Sequence, residues 1–348
     1  MIRIITIHQR EEWNWYLSRC ESFDFYHTWS YHSLDESGEP FLFVYHQTDD
    51  FVLLPLIKRR IEGTAWFDIT SVYGYTGPIS NKSINQLKDE FLESFKSEFE
   101  RYLHSQRVVS VFARLHPLIE QEKLMCKFEG LTSNGNTVAI DLRLPIETQR
   151  LNYRRSFRSD IRKLRDKGYS VKEGSTCDDI ATFASIYTEN MKRINASAHY
   201  MFTTEYFSEL IHSKEFKGRL FFVYADDEPI CGTLVTCTNN ILEVHLVATR
   251  TENLCESPAK FLIDEVSLWA RNMGIEFFHF GGGFGFKEDT LYDWKRGFSD
   301  LCLNYYSLRY IVNKDAYYSL LNRKGIEPDE TIDFFPLYRC HSLALKRA

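Results

Sequence analysis

No apolar run in this 348-residue chain approaches the roughly 18 residues that cross a bilayer as a helix. The opening, MIRIITIHQREEW, lacks the basic start and apolar centre of a secretory signal, so a cytoplasmic protein with no transmembrane segment is expected. Cysteine patterning is missing as well. Cys20, Cys126, Cys177, Cys231, Cys237, Cys255, Cys302 and Cys340 form no CxxC and have no histidine at ligand spacing, which disfavours a disulfide framework and a zinc site. No metal is expected, and the thiols read as reduced and mostly packed. A strong positive balance is also absent. The formal charge of -6 argues against a chain that coats nucleic acid with its whole surface; DNA is not an expected partner, and any anion site must be local.

The chain does contain apolar and aromatic residues in quantity. With 44% hydrophobic, 26% charged and 15% aromatic residues, it reads as a globular protein whose cores or clefts are lined with rings. Its length suits about two domains. FLFVYH (41–46) and FVLLPLIKRRI (51–61) flank the turn QTDD as a hairpin, and WFDITSVYGYTGPI (66–79) follows as a further strand and turn. Over 83–105, Leu87, Phe91, Phe95, Phe99 and Tyr102 fall on one helical face. Strands at 108–115 and 137–142 close the first half. The second half repeats the mixture: a helix over 146–167, the strand YSVKEG, helices near 177–194 and 203–213, and three strands within 219–249. Ser257 and Pro258 then read as the N-cap and first residue of a helix to Met273, ahead of the strand IEFFHF at 275–280. The fold class expected is α+β with a domain boundary near 145, giving domains 1–145 and 146–348. The similar element order hints at duplication without any residue-level repeat.

Three constellations carry chemistry. In FHFGGGFGFKEDTLYDWKRGFSD (278–300), Phe286 stands where a P-loop needs its second glycine, and GxGxxG fails at Phe286 and Glu288. A plain turn and a turn that lets a ligand approach bare backbone both remain open. Thr290 and Asp293 have capping-box-like spacing, and Leu291, Trp294 and Phe298 share a helical face. Lys295 and Lys287 then offer donors for a phosphate or an oxyanion. Next, LNYRRSFRSDIRKLRDKG (151–168) sets Phe157, Ile161 and Leu164 on one face, with Arg154, Arg158, Arg162 and Arg165 on another. A solvated face and a polyanion groove suit that row equally. Last, Glu243 and His245 alternate onto one face of ILEVHLVAT, either as an acid and base or as paired structural groups. Arg193, His199 and Tyr200, near a helix end, carry the same ambiguity. Tyr73 and Tyr75 precede a Gly-Pro turn, where ring packing is the default.

Taken in order, HFGGGFGFKEDTLYDWKRGFS, YGYTGP, ARLHPL, RRSFRSDIRKLRDKGYSV and FFPLYR resemble the Fem-type peptidoglycan-bridge aminoacyltransferases and their relatives in the GNAT acyltransferase superfamily, over about residues 40 to 340. The resemblance implies two GNAT-like mixed-sheet domains in tandem and transfer of an acyl or aminoacyl group to an amine of a cell-envelope precursor or sugar nucleotide. It implies no bound cofactor. An acyl donor serves as co-substrate, either aminoacyl-tRNA or acyl-CoA, and the acceptor is a small-molecule or lipid-linked precursor reached through peripheral membrane contact. By match to the family's [FW]-K element, Lys295 with Trp294 is implied to hold the donor, with Gly282, Gly283 and Lys287 in the turn beside it. Arg193 and Tyr200 match an R…Y pattern, Tyr75 stands in YGYTGP, and Glu243 or His245 is left for proton removal. Arg154, Arg158 and Arg162 are the candidate polyanion contacts. RTENLCESPAK (250–260) departs from the CoA-binding pattern by lacking its glycines, and no coiled-coil arm is present. The alternatives are a non-catalytic tRNA-binding module and an acyl-CoA-dependent N-acetyltransferase.

Overall fold

The computed structural model describes residues 1–197, 200–327 and 332–340. In chain order its elements are β1 (Ile2–Thr6), α1 (Arg10–Leu17), α2 (Trp29–His32), β2 (Glu39–Gln47), β3 (Asp50–Arg60), β4 (Phe67–Thr70), β5 (Ile79–Ser80), α3 (Asp89–Ser105), β6 (Val108–Arg114) and α4 (Glu122–Met125). There follow β7 (Leu131–Asp141), α5 (Ile146–Asn152), α6 (Arg155–Asp166), β8 (Ser170–Gly174), α7 (Cys177–Arg193), α8 (Thr204–Ile211), β9 (Lys217–Ala225), β10 (Glu228–Thr238), β11 (Ile241–Thr249), α9 (Pro258–Asn272), β12 (Phe277–Gly281), α10 (Thr290–Arg296), β13 (Cys302–Ile311) and α11 (Lys314–Arg323). Among the described residues no helix is long and apolar enough to cross a membrane.

Two compact units result, Met1–Gly135 with Asn304–Ala348, and Asn136–Leu303. This division differs from a boundary at 145, because the residues after 303 return to the first unit. There β13 pairs antiparallel with β6, the Tyr338 hydroxyl lies 2.8 Å from Ser110 Oγ, and Arg339 Nε donates to the buried Asp68 carboxylate at 2.6 Å.

Each unit is built on the same plan. In the first, β2, β3 and β4 form an antiparallel meander. Helix α3 then crosses over, so that β6 returns parallel to β4. Phe91, Leu92, Phe95, Phe99 and Leu103 of α3 are buried in that crossover. In the second unit, β9, β10 and β11 form the meander, α9 crosses over, and β12 returns parallel to β11. Pro258 fills the first position of α9, where its missing N–H costs nothing. Phe261, Leu262, Val266 and Ala270 then pack on Leu242 and Phe278 beneath. In each unit parallel and antiparallel pairing are mixed within the sheet, and the fold is α+β with two GNAT-like units in tandem.

Three local expectations are corrected. The helix expected over 146–167 is two helices, because Tyr153 and Arg154 take extended backbone. The Tyr153 ring turns into the core, edge-on to Phe298 at 5.5 Å, and the Arg154 amide donates to the Gly297 carbonyl at 2.8 Å. Asp289, rather than Thr290, caps α10, accepting the Tyr292 amide at 2.9 Å. That register buries Tyr292 in place of Leu291, which is 43% exposed. Ser257 does not cap α9 with its side chain; its backbone is left-handed, at φ 56°.

Candidate active site

The second unit holds most of the candidate site residues. Strands β11 and β12 pair in parallel over Ile241–Glu243 and Phe277–His279, and the pairing stops at that rung. Beyond it β12 pairs with β7 and β11 continues along β10, so the two parallel strands part. The last rung is formed by Glu243 and His279, both buried, with His279 Nδ1 at 2.8 Å from each carboxylate oxygen. A buried carboxylate is costly unless it is hydrogen-bonded, and a proton on Nδ1 serves both of its oxygens here.

Past His279 the chain turns through Gly281, Gly282 and Gly283. Gly281 has φ 70°, a value that favours glycine. A Cβ on Gly283 would lie 2.0 Å from the Lys287 carbonyl oxygen and 2.4 Å from Asp289 Oδ1, so the turn closes on itself too tightly for a side chain. Asp289 pins it by accepting the Phe284 amide at 3.0 Å as well as capping α10. From that helix Lys295 reaches back, and its Nζ donates to the Gly282 carbonyl at 2.5 Å. Burial pushes the Lys295 ammonium down to about 8, while the nearby Asp289 and Glu243 carboxylates act in the opposite direction. The glycine turn therefore holds a protonated amine at neutral pH, and its donors lie beside the last paired rung.

His245 shares Glu243's face of β11 but has a separate environment. Its Nε2 lies 2.7 Å from the Tyr206 hydroxyl, and burial alone lowers it to about 3. It is a neutral imidazole across the physiological range, with one nitrogen engaged by a phenol. Trp294 packs edge-to-face on Phe298 at 5.1 Å and tilted against Phe157 at 6.3 Å, a wall of α10 against α6. Gly282 and Gly283 lie in the turn with Lys295, and Lys287 stands exposed on it. Arg193, in the last turn of α7, donates to Asn190 Oδ1 at 2.6 Å; the Tyr200 carbonyl accepts from the Tyr187 hydroxyl at 2.8 Å. His199 lies outside the described residues. Tyr75 belongs to the first unit, where it packs edge-on to Tyr305 at 5.1 Å.

The arginine row divides. Arg154 is bound to Asp293 at 2.8 Å, clamping α6 to α10. Arg165 reaches Asp264 at 3.0 Å and Glu265 at 2.6 Å. Between them Arg158 and Arg162 stand exposed, and among the described residues neither forms an ion pair. His279, Asp289 and Tyr206 were not singled out in the sequence. His279 carried a signal, two residues ahead of the glycines, but its partner is 36 residues away on the neighbouring strand.

Residues 152–296 match the family model described as an acetyltransferase (GNAT) domain. Among solved structures the chain is similar to FemX, with a TM-score of 0.68 at 11% identity over 92% of this chain and 99% of that one. It is also similar to a conserved protein of unknown function from Bacteroides thetaiotaomicron, with a TM-score of 0.57 at 12% identity over 89% and 100% of the two chains. L-PGS from Bacillus licheniformis gives 0.55 at 10% identity over 90% and 96%. At these identities the likeness is one of fold. No curated protein matches the sequence.

Proposed function

We infer, from a chain that carries a GNAT acyltransferase domain at residues 152–296, that it moves an acyl or aminoacyl group from an activated donor onto an amine of a cell-envelope precursor or sugar nucleotide. The observation that carries this reading is Lys295, held by the Gly282 carbonyl at 2.5 Å beside the Glu243–His279 rung. An amine attacking an ester or thioester carbonyl forms a C–N bond and drives charge onto the carbonyl oxygen, after which the C–O or C–S bond breaks and an alcohol or thiol leaves. The Lys295 ammonium is the donor for that oxyanion. Glu243, aligned by His279, is the acceptor for the proton the amine sheds, directly or through a water. The fold likeness to FemX and L-PGS supports an aminoacyl group as cargo and an envelope component as acceptor. The absence of glycine from RTENLCESPAK supports an aminoacyl-tRNA donor over acyl-CoA. Exposed Arg158 and Arg162 are the contacts proposed for its phosphates.

The test is a donor screen, in which aminoacyl-tRNAs and acyl-CoAs are offered with amine acceptors and products are read by mass. Lys295→Met is expected to lower turnover about ten- to a thousandfold, roughly the cost of one lost oxyanion donor. Turnover unchanged in Lys295→Met removes Lys295 from the mechanism, and no transfer from any donor overturns the reading.

A further inference from the structure

Beyond the Glu243–His279 rung, β11 continues without β12 to Thr249, then turns through Arg250 and a 3-10 segment, Thr251–Glu256, into α9. His279 is level with Glu243, and both strands shift register just past that rung, β12 at Phe280 and β11 at His245, so Gly281 and the Lys295 turn follow shortly beyond it. At about 3.3 Å per residue, Arg250 is roughly 16 Å farther along the strand than His245. A donor whose carbonyl rests at Lys295 and whose body follows β11 brings its remote end to Arg250 and Thr251, where backbone amides ahead of a helix attract an anion. That place is already taken. Glu189 of α7 accepts the Thr251 amide at 2.7 Å, and its second oxygen lies 3.5 Å from the Arg250 guanidinium. Arg250 is fixed from behind by its Nε bond to the Pro229 carbonyl at 3.1 Å.

We propose that Glu189 is a specificity-determining residue: its carboxylate stands on the amide and guanidinium that a donor's phosphates would use, and so excludes donors that carry a diphosphate at that distance from the reactive carbonyl. The Thr251 amide, first, holds the Glu189 carboxyl below its usual range, so it is ionised at neutral pH. An arriving phosphate meets like charge where it needs a donor. Other features of the turn work the same way. Pro258 has no amide to give, and Ser257 is left-handed, without a capping bond. Glu256 is held in place by Lys167 at 3.1 Å and the Tyr169 hydroxyl at 2.6 Å. Removing the Glu189 charge leaves Arg250 and the Thr251 amide as a two-donor anion site.

The inference rests on the acyltransferase reading for the identity of the ligand, and its test reads binding without turnover. CoA is titrated by calorimetry into the full-length wild-type chain, Glu189→Gln, Glu189→Ala and the control Glu252→Gln, each checked by its thermal midpoint. Glu189→Ala is expected to bind CoA at least tenfold more tightly than wild type, with a smaller gain for the shape-conserving Glu189→Gln. The gain should vanish when Arg250→Ala is added, and Glu252→Gln should stay within about twofold of wild type, since it does not touch Thr251. Equal CoA affinity in wild type and both Glu189 variants overturns the proposal, even if wild type transfers from another donor. A CoA gain in Glu189→Ala upholds it, even if no transfer is found and the acyltransferase reading falls.

Discussion

The imidazole of His279 and the carboxylate of Glu243 close the last parallel rung of β11 and β12, with Nδ1 at 2.8 Å from both oxygens. Each side chain fixes the other, so Glu243 has a defined direction where the strands part. With Glu243 as the proton acceptor, Glu243→Gln should lower turnover about a hundredfold or more while the donor still binds. His279→Gln, which keeps Glu243 but loosens its aim, should fall between Glu243→Gln and wild type. Steady-state kinetics on the transfer product checks both, and full activity in Glu243→Gln removes it from proton transfer.

As the proposed oxyanion donor, Lys295 should set the alkaline limb of the pH profile. Its ammonium titrates near 8 rather than at the ordinary 10.5, so a step that needs the protonated form should weaken as pH rises through about 8. The same shift has a stability consequence. Between pH 8 and 10.5 the unfolded chain keeps a proton that the folded chain has released, so the Lys295 contribution to stability improves as pH rises across that window. Lys295→Met should therefore melt above wild type at pH 7, with the difference shrinking toward pH 10. A constant difference would mean that the ammonium is not desolvated in the folded state.

On α6, Arg158 and Arg162 are exposed while Arg154 is committed to Asp293. Arg158→Gln with Arg162→Gln should weaken binding of a tRNA and reduce the slope of log affinity against log salt by about 2. Arg154→Gln should instead lower the melting temperature through the α6–α10 clamp. Filter binding across a salt series separates the two effects, and an unchanged slope in the double variant returns these arginines to the solvated face.

Asp264 is fully buried on α9 and ion-paired to Arg150 at 2.7 Å and Arg165 at 3.0 Å. Taking away the shared carboxylate leaves two guanidinium groups close together without it. Asp264→Ala should cost about 1–2 kcal/mol in denaturant unfolding, below the range for a fully buried pair because the two guanidinium groups left behind are more than a third exposed. The double variant Arg150→Met with Arg165→Met should not repair the loss in Asp264→Ala if packing rather than charge is responsible. Recovery by that pair assigns the cost to the stranded charges.

The sequence by itself determined whatever depends on short range. Apolar spacing of three and four residues marked α3 and α9, and β-rich runs between turn residues marked both meanders. The same order in each half anticipated the tandem fold, and the place of Lys295 on a short helix after the glycine turn was legible from the residues around it. Tertiary structure decided whatever depends on partners distant in the chain. The break between α5 and α6 follows from Tyr153 finding Phe298 and the Arg154 amide finding the Gly297 carbonyl. Asp289 displaced Thr290 as cap because it also ties down Phe284 at the head of the turn. Glu243 and His245 look alike in the one-dimensional pattern, yet one faces a histidine on the next strand and the other a phenol from α8. Side-chain alternation says which face of a strand a residue occupies; the neighbouring element that supplies its partner, and so its charge and its chemistry, is set only when the sheet and helices pack.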